Sequence, residues 1–369
     1  MKILAPFLCL SLVFAAGCGS NTRQPVSLVA PRSYSGTASV GDFLSITLDP
    51  QAHTFSYTNV SNGDTGSNIP YVLNANDTYT LQDPTGNLVT AYEVPGFGLL
   101  IKAVKAGPTH STPSLITAVA KGSSISTTSW AKQSFNYMQF RTAAGGLEIG
   151  SVTMDAQGNV SHQSYWPYGA ASGGQTFNGG QFLASAFIPD PSGAFMSMSD
   201  GPGQSDYVFG TPNGVFAVDT PNGALIGLKK TASKDFNPNA AGTYKAIYYQ
   251  KIGATTGMGN VETGTPSLGN ATFIVSSSGQ ITVQDSTGAT IIQTALIPVA
   301  DTPYLFGAGE LTDPCFGLFT FRTINTGATK QQDVFVTFLD HTVLFASFTG
   351  VLPASGSNPY DYLYGVGLK

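Results

Sequence analysis

A chain of 369 residues in which 42% are hydrophobic, 11% aromatic and only 10% charged carries too much apolar surface and too little charge to stay disordered. Its length calls for two or three cores rather than one. The formal net charge of −5 comes without any cluster of Lys or Arg, which excludes a nucleic-acid-binding face.

The chain opens with Met1 and Lys2 and runs apolar from Ile3 to Ala16, broken only by Pro6 and Ser11, before small residues lead into Cys18. A charged start, an apolar middle and a small-residue end have the layout of a secretory signal. The apolar run is shorter than the roughly 20 residues a bilayer span needs, so cleavage is predicted. Ala15, Ala16, Gly17 and Cys18 resemble the lipobox of bacterial lipoproteins, with Ala15 where that family usually has Leu. The resemblance implies a signal peptide over residues 1–17 and fatty chains on Cys18, so that the membrane is a partner through this lipid. One acyl chain binds a bilayer only marginally, and two or three are needed for a stable anchor. Gly19, in place of a retaining aspartate, implies sorting to the outer membrane. Cys9 would leave with the leader and Cys18 would carry lipid, so the resemblance leaves Cys315 with no cysteine to bridge to.

Residues 18–33, polar and interrupted by Pro25 and Pro31, read as a tether. Strand signals dominate from there on. "FLSITL" alternates with Leu44, Ile46 and Leu48 on one face, and "LEIGSVTM", "ATFIV" and "DVFVTFL" are rich in β-branched and aromatic residues. Turn signals separate them, as in "DPTGN" (83–87), "DAQGN" (155–159) and "SSSGQ" (276–280). No helical stripe of three turns is present beyond the leader, with short exceptions expected near Thr128 to Lys132.

A faint repeat runs through these strands. "SITLDPQAHTFSY" (45–57), "SVTMDAQGNVSHQ" (151–163) and "TFIVSSSGQITVQ" (272–284) share an apolar pattern, and Gly158 matches Gly279. A second hairpin type joins residues 83–103 to 211–229 and, more loosely, to 333–348. Propeller blades repeat at roughly 40 to 50 residues, whereas these hairpins begin at irregular intervals. The predicted fold is all-β, with two or three antiparallel β-barrel or β-sandwich modules in tandem over residues 34–125, 130–231 and 240–369. "KTASKDFNPNAAG" (230–242) reads as the linker before the last of them.

No chemical site stands out. There is no G-x-S-x-G elbow, and the four histidines, His53, His110, His162 and His341, lack the spacing of a zinc site. Neither a metal nor any other cofactor is expected. Asp340 and His341 fit a hairpin corner better than a catalytic pair, and Cys315 fits a buried small hydrophobe. The polar loops "SNGDTGSN" (61–68) and "NANDTYTLQD" (74–83) lack the acid spacing of a calcium loop. Tyr165, Trp166 and Tyr168, next to a glycine-rich run with Gln175 and Asn178, pair flat apolar faces with amides, as a sugar or peptide site does. Alternatively Trp166 plugs a barrel end, and Trp130 is a core or inter-module residue.

The leading expectation is a surface-tethered, non-enzymatic binding or structural module of a cell envelope, with a glycan or another envelope protein as partner. Two alternatives stand beside it. An exported hydrolase of polysaccharide or ester polymers would need two carboxylates about 5 to 9.5 Å apart in an open cleft. A carrier would enclose a small hydrophobic ligand in an eight-stranded barrel, and a solvent-accessible apolar cavity would mark it.

Overall fold

The structure is a computed structural model that describes residues 29–369, apart from 85, 87, 105–112, 123, 142–146, 170–172, 213, 222, 256–264, 302–314, 325–329 and 352–358. Cys18 and most of the tether therefore lie outside the described residues. The architecture is all-β, as the alternation predicts, with tandem barrel-like modules. Helical structure among the described residues is limited to four short 3-10 turns, at Thr127–Trp130, Ala184–Ala186, Pro238–Ala240 and Val299–Asp301. No described helix is long and apolar enough to cross a membrane.

The first module is a closed barrel of eight strands in up-and-down order: β1 (Arg32–Ala38), β2 (Phe43–Asp49), β3 (Thr54–Asn59), β4 (Thr65–Leu73), β5 (Thr78–Gln82), β6 (Leu88–Val94), β7 (Gly98–Val104) and β8 (Ser114–Ala120). Closure comes from β1 pairing with both β2 and β8, which leaves no sheet edge. Arg32 and Ser33, read from the sequence as the end of the tether, are the first residues of β1. Alternation sends Tyr34, Leu44, Ile46, Leu48, Val89 and Ala91 into the barrel core.

The second and third modules are nine-stranded sheets that curl the same way but keep a seam. The second holds β9 (Ser134–Arg141), β10 (Leu147–Met154), β11 (Val160–Gly169), β12 (Gly173–Phe182), β13 (Ile188–Pro189), β14 (Met196–Gly201), β15 (Gln204–Thr211), β16 (Val215–Thr220) and β17 (Gly223–Lys229), with β9 paired to β17. The third holds β18 (Gly242–Thr255), β19 (Thr265–Val275), β20 (Gln280–Gln284), β21 (Thr290–Ala295), β22 (Ile297–Pro298), β23 (Leu318–Ile324), β24 (Lys330–Leu339), β25 (Thr342–Val351) and β26 (Pro359–Leu368), with β18 paired to β26. Each seam falls between the fourth and fifth strands, and each fifth strand is an Ile-Pro dipeptide. Proline has no N–H to give a further ladder, so it suits an edge.

One hydrophobic cluster links residues of all three modules. Phe43 of the barrel stacks on Tyr207 at 4.9 Å between ring centroids and meets Phe209 at 5.2 Å. Phe140 of the second sheet meets Tyr249 of the third at 4.5 Å. Trp130 is an interior plug of the second module, 1% exposed, with its indole N–H donating to the Thr211 carbonyl at 2.8 Å.

Candidate functional site

The interior of the first barrel is divided into a sealed end and an open one. β1 runs from Arg32 to Ala38 and the other strands alternate around it, so Arg32, Tyr34, Tyr79 and Glu93 gather at one end. The Glu93 carboxylate takes a bidentate grip from Arg32, Nε to Oε1 at 2.6 Å and Nη2 to Oε2 at 2.7 Å. Tyr34 donates its hydroxyl to Oε1, and Tyr79 donates to Oε2 at 2.7 Å. A carboxylate has about four acceptor positions, and four donors fill them. Tyr71 packs edge-on against Tyr79 with ring centroids 4.9 Å apart. Burial and the neighbouring carboxylate push the Tyr34 and Tyr79 hydroxyls well above the ordinary phenol range, so both stay protonated donors.

The other end is a cup of about 350 Å³. Its wall is apolar, with Ile46, Phe55, Leu81, Val89, Ile101 and Ile116 pointing inward. Its rim is formed where β1 joins β2, β3 joins β4 and β5 reaches its end, and it carries Asp42, Asn59, Asn62, Asp64 and Asp83. No Lys, Arg or His is among the described residues of the lining. Tyr57 reports this field: burial first, then the Asp83 and Asp64 carboxylates, push its hydroxyl above the ordinary value. The carboxylates do not converge as metal ligands, because no group of three or more His, Cys, Asp or Glu among the described residues could hold an ion. Volume, apolar wall and few polar groups at the mouth are the anatomy of a small-molecule site. An eight-stranded barrel is just wide enough to hold one such ligand.

The cup's rim acids lie in the two polar loops, 61–68 and 74–83, and in the turn before β2. As sequence, both loops lack the acid spacing of a calcium loop and read as ordinary polar loops. The usable signal was Asp or Asn at the ends of successive hairpins that point the same way.

The aromatic trio falls on β11, whose backbone pairs Tyr165 with Thr176 and Trp166 with Gln175 of β12, with a register shift between Trp166 and Gly169. The side chains of Tyr165, Trp166 and Tyr168 lie outside the described residues. Asp340 sits in the β24–β25 turn with a positive φ of 46°, and His341 Nδ1 lies 3.1 Å from the Lys369 carbonyl. Cys315 is buried. Among the described residues one carboxyl is raised toward neutrality, to about 8, as a general acid needs. This is Asp219, which is 1% exposed at the contact between two modules.

No family model matches the chain, and no curated protein matches it. Among solved structures, a protein of unknown function from the DUF3598 family of Nostoc punctiforme PCC 73102 is 9% identical, with 92% of this chain and 96% of that chain covered and a TM-score of 0.18. A double mutant of the vaccine antigen Transferrin Binding Protein B from Haemophilus parasuis Hp5 is 8% identical, with 92% of this chain and 76% of that chain covered and a TM-score of 0.21. Likenesses this slight carry nothing over to this chain, whose reading rests on its own geometry.

Proposed function

We propose that the protein is an envelope-tethered binding protein. Lipid on Cys18 holds it at the outer membrane, and the first barrel takes a small molecule with an apolar body and a cationic head. The observation that carries the binding half is the apolar cup whose described rim residues include three aspartates and no Lys, Arg or His. An apolar body leaves water on entering, at about 0.8 kcal/mol per buried methylene. A head group left at the mouth meets Asp42, Asp64 and Asp83, which favour positive charge and disfavour a carboxylate. The anchor half is supported by the lipobox resemblance at residues 15–18.

Calorimetry with octylammonium, octanol and octanoate tests the cup. Octylammonium is expected to bind at least tenfold more tightly than octanoate, a difference of about 1.4 kcal/mol or more. Ala103→Trp, which fills the mouth from β7, is expected to abolish binding of all three probes. Equal affinity for octanoate would remove the cationic head from the proposal, and unchanged binding by Ala103→Trp would remove the cup. For the anchor, mass spectrometry of native protein is expected to find an acylated N-terminal Cys18, and an unmodified thiol there would refute it.

A further inference from the structure

A second cavity of about 380 Å³ lies on the flank of the first barrel, where the outer faces of β5, β6 and β7 meet β18, β19 and the 285–288 turn of the third module. Its chemistry is unlike that of the cup. Two lysines cross it in opposite directions. Lys102, on the barrel, directs its ammonium to the Leu268 carbonyl of the third module at 3.4 Å. Lys245, on the third module, donates to the Asn76 carbonyl of the barrel at 2.9 Å and lies 4.9 Å above the Tyr92 ring. Each ammonium has three protons, and these carbonyls are neutral acceptors.

Two carboxylates lie close by. Asp285 is turned onto its own loop, where Oδ1 accepts from Thr287 N at 2.8 Å, Thr287 Oγ1 at 2.6 Å and Ala289 N at 3.0 Å. Asp77 stands 3.7 Å from Lys245 with its side chain 84% exposed, so water screens it. The rest of the lining is rich in amides and hydroxyls from both walls, among them Asn270, Thr90 and Thr272.

We infer that this groove binds an acidic saccharide, with the carboxylate of a hexuronate unit taken by Lys102 and Lys245 and its hydroxyls by the threonines and asparagines of the two walls. A neutral sugar would leave Lys102 on a main-chain carbonyl and Lys245 on a carbonyl, the Tyr92 face and the exposed Asp77 carboxylate, and an apolar ligand would leave the amides and hydroxyls unmet. The acid-rimmed cup repels such a ligand, so the two cavities select opposite charges. The inference stands independently of the cup.

Calorimetry of the full chain with digalacturonate and with maltose tests it. Digalacturonate is expected to bind, maltose at least tenfold more weakly, and affinity is expected to fall as salt rises. Lys102→Gln and Lys245→Gln are each expected to lose at least tenfold, and Lys102→Arg to retain most of the affinity. Thermal melting of every variant separates loss of the site from loss of the fold. No binding of digalacturonate, equal binding of maltose, or unchanged affinity in both glutamine variants would each overturn the inference.

Discussion

Glu93 shows how much of the first barrel rests on a single side chain. Its carboxylate is buried and matched to the Arg32 guanidinium and two phenols. Removing one partner of a buried pair leaves the other charge without compensation, at a cost of about 3 to 5 kcal/mol. Glu93→Gln is accordingly expected to destabilise the first barrel by that amount in urea unfolding. Tyr79→Phe, which removes one hydrogen bond to a charged group, is expected to cost about 1.5 to 3 kcal/mol. A Glu93→Gln loss below that of Tyr79→Phe would mean that the ion pair contributes little. None of this cluster was legible in the sequence. Arg32 reads as the last charge of a polar tether, and Glu93 as one residue of the 83–103 hairpin. Their pairing spans 61 positions and exists only because β6 and β1 come round to the same end of a closed barrel.

Local chemistry, by contrast, was readable at the scale of the hairpin. The repeat over 45–57, 151–163 and 272–284 falls on β2–β3, β10–β11 and β19–β20, the second and third strands of each module. The second repeat is less faithful. Residues 83–103 and 333–348 cover β6–β7 and β24–β25, each just before a final strand, whereas 211–229 covers β16–β17, which ends its module. The position-matched hairpin there is β15–β16. Pro-Asn-Gly occurs twice in this stretch, at 212–214 and 221–223, so alternation alone cannot fix which turn is which. One turn design recurs at the matched Gly158 and Gly279 and again at Gly288, which the repeat does not mark: Gly158 N donates to Asp155 O at 3.2 Å, Gly279 N to Ser276 O at 3.0 Å, and Gly288 N to Asp285 O at 3.1 Å. Each glycine has positive φ, between 76° and 85°, as three-residue hairpin loops require. A Cβ at Gly288 meets nothing within 4 Å, so Gly288→Ala is expected to cost only the left-handed strain, about 1 to 2 kcal/mol. At Gly158 a Cβ would come within 2.5 Å of the Thr127 carbonyl oxygen. Gly158→Ala is therefore expected to cost more than Gly288→Ala in the same denaturation assay, and equal losses would show that the Thr127 turn yields. What the strands could not reveal is the cup, because its acids come from separate hairpins and share a mouth only after closure.

At the scale of the whole molecule, the contact between the first barrel and the second module contains a titrating group. Thr37 Oγ1, on the outer face of β1, donates to Asp219 Oδ1 of β16 at 2.5 Å. The β1–β2 turn presses so closely on Pro221 that a Cβ on Gly41 would come within 2.4 Å of its carbonyl. Burial pushes the Asp219 carboxyl up to about 8, Thr37 pulls it down in part, and Asp42 and Asp206 add to the rise. Between the ordinary 3.8 and about 8, the folded protein holds a proton that the unfolded chain has released. Stability must then fall as pH rises through this window, by up to about 1.4 kcal/mol per pH unit, and level off above it. Asp219→Asn cannot ionise and keeps an acceptor for Thr37. The variant is expected to gain on the wild type steadily from pH 5 to pH 8, with the gap constant beyond. Because every other titrating group is common to both proteins, the difference between their urea midpoints isolates Asp219. A gap independent of pH would mean that Asp219 is ionised in the folded protein and that the module contact already accommodates its charge.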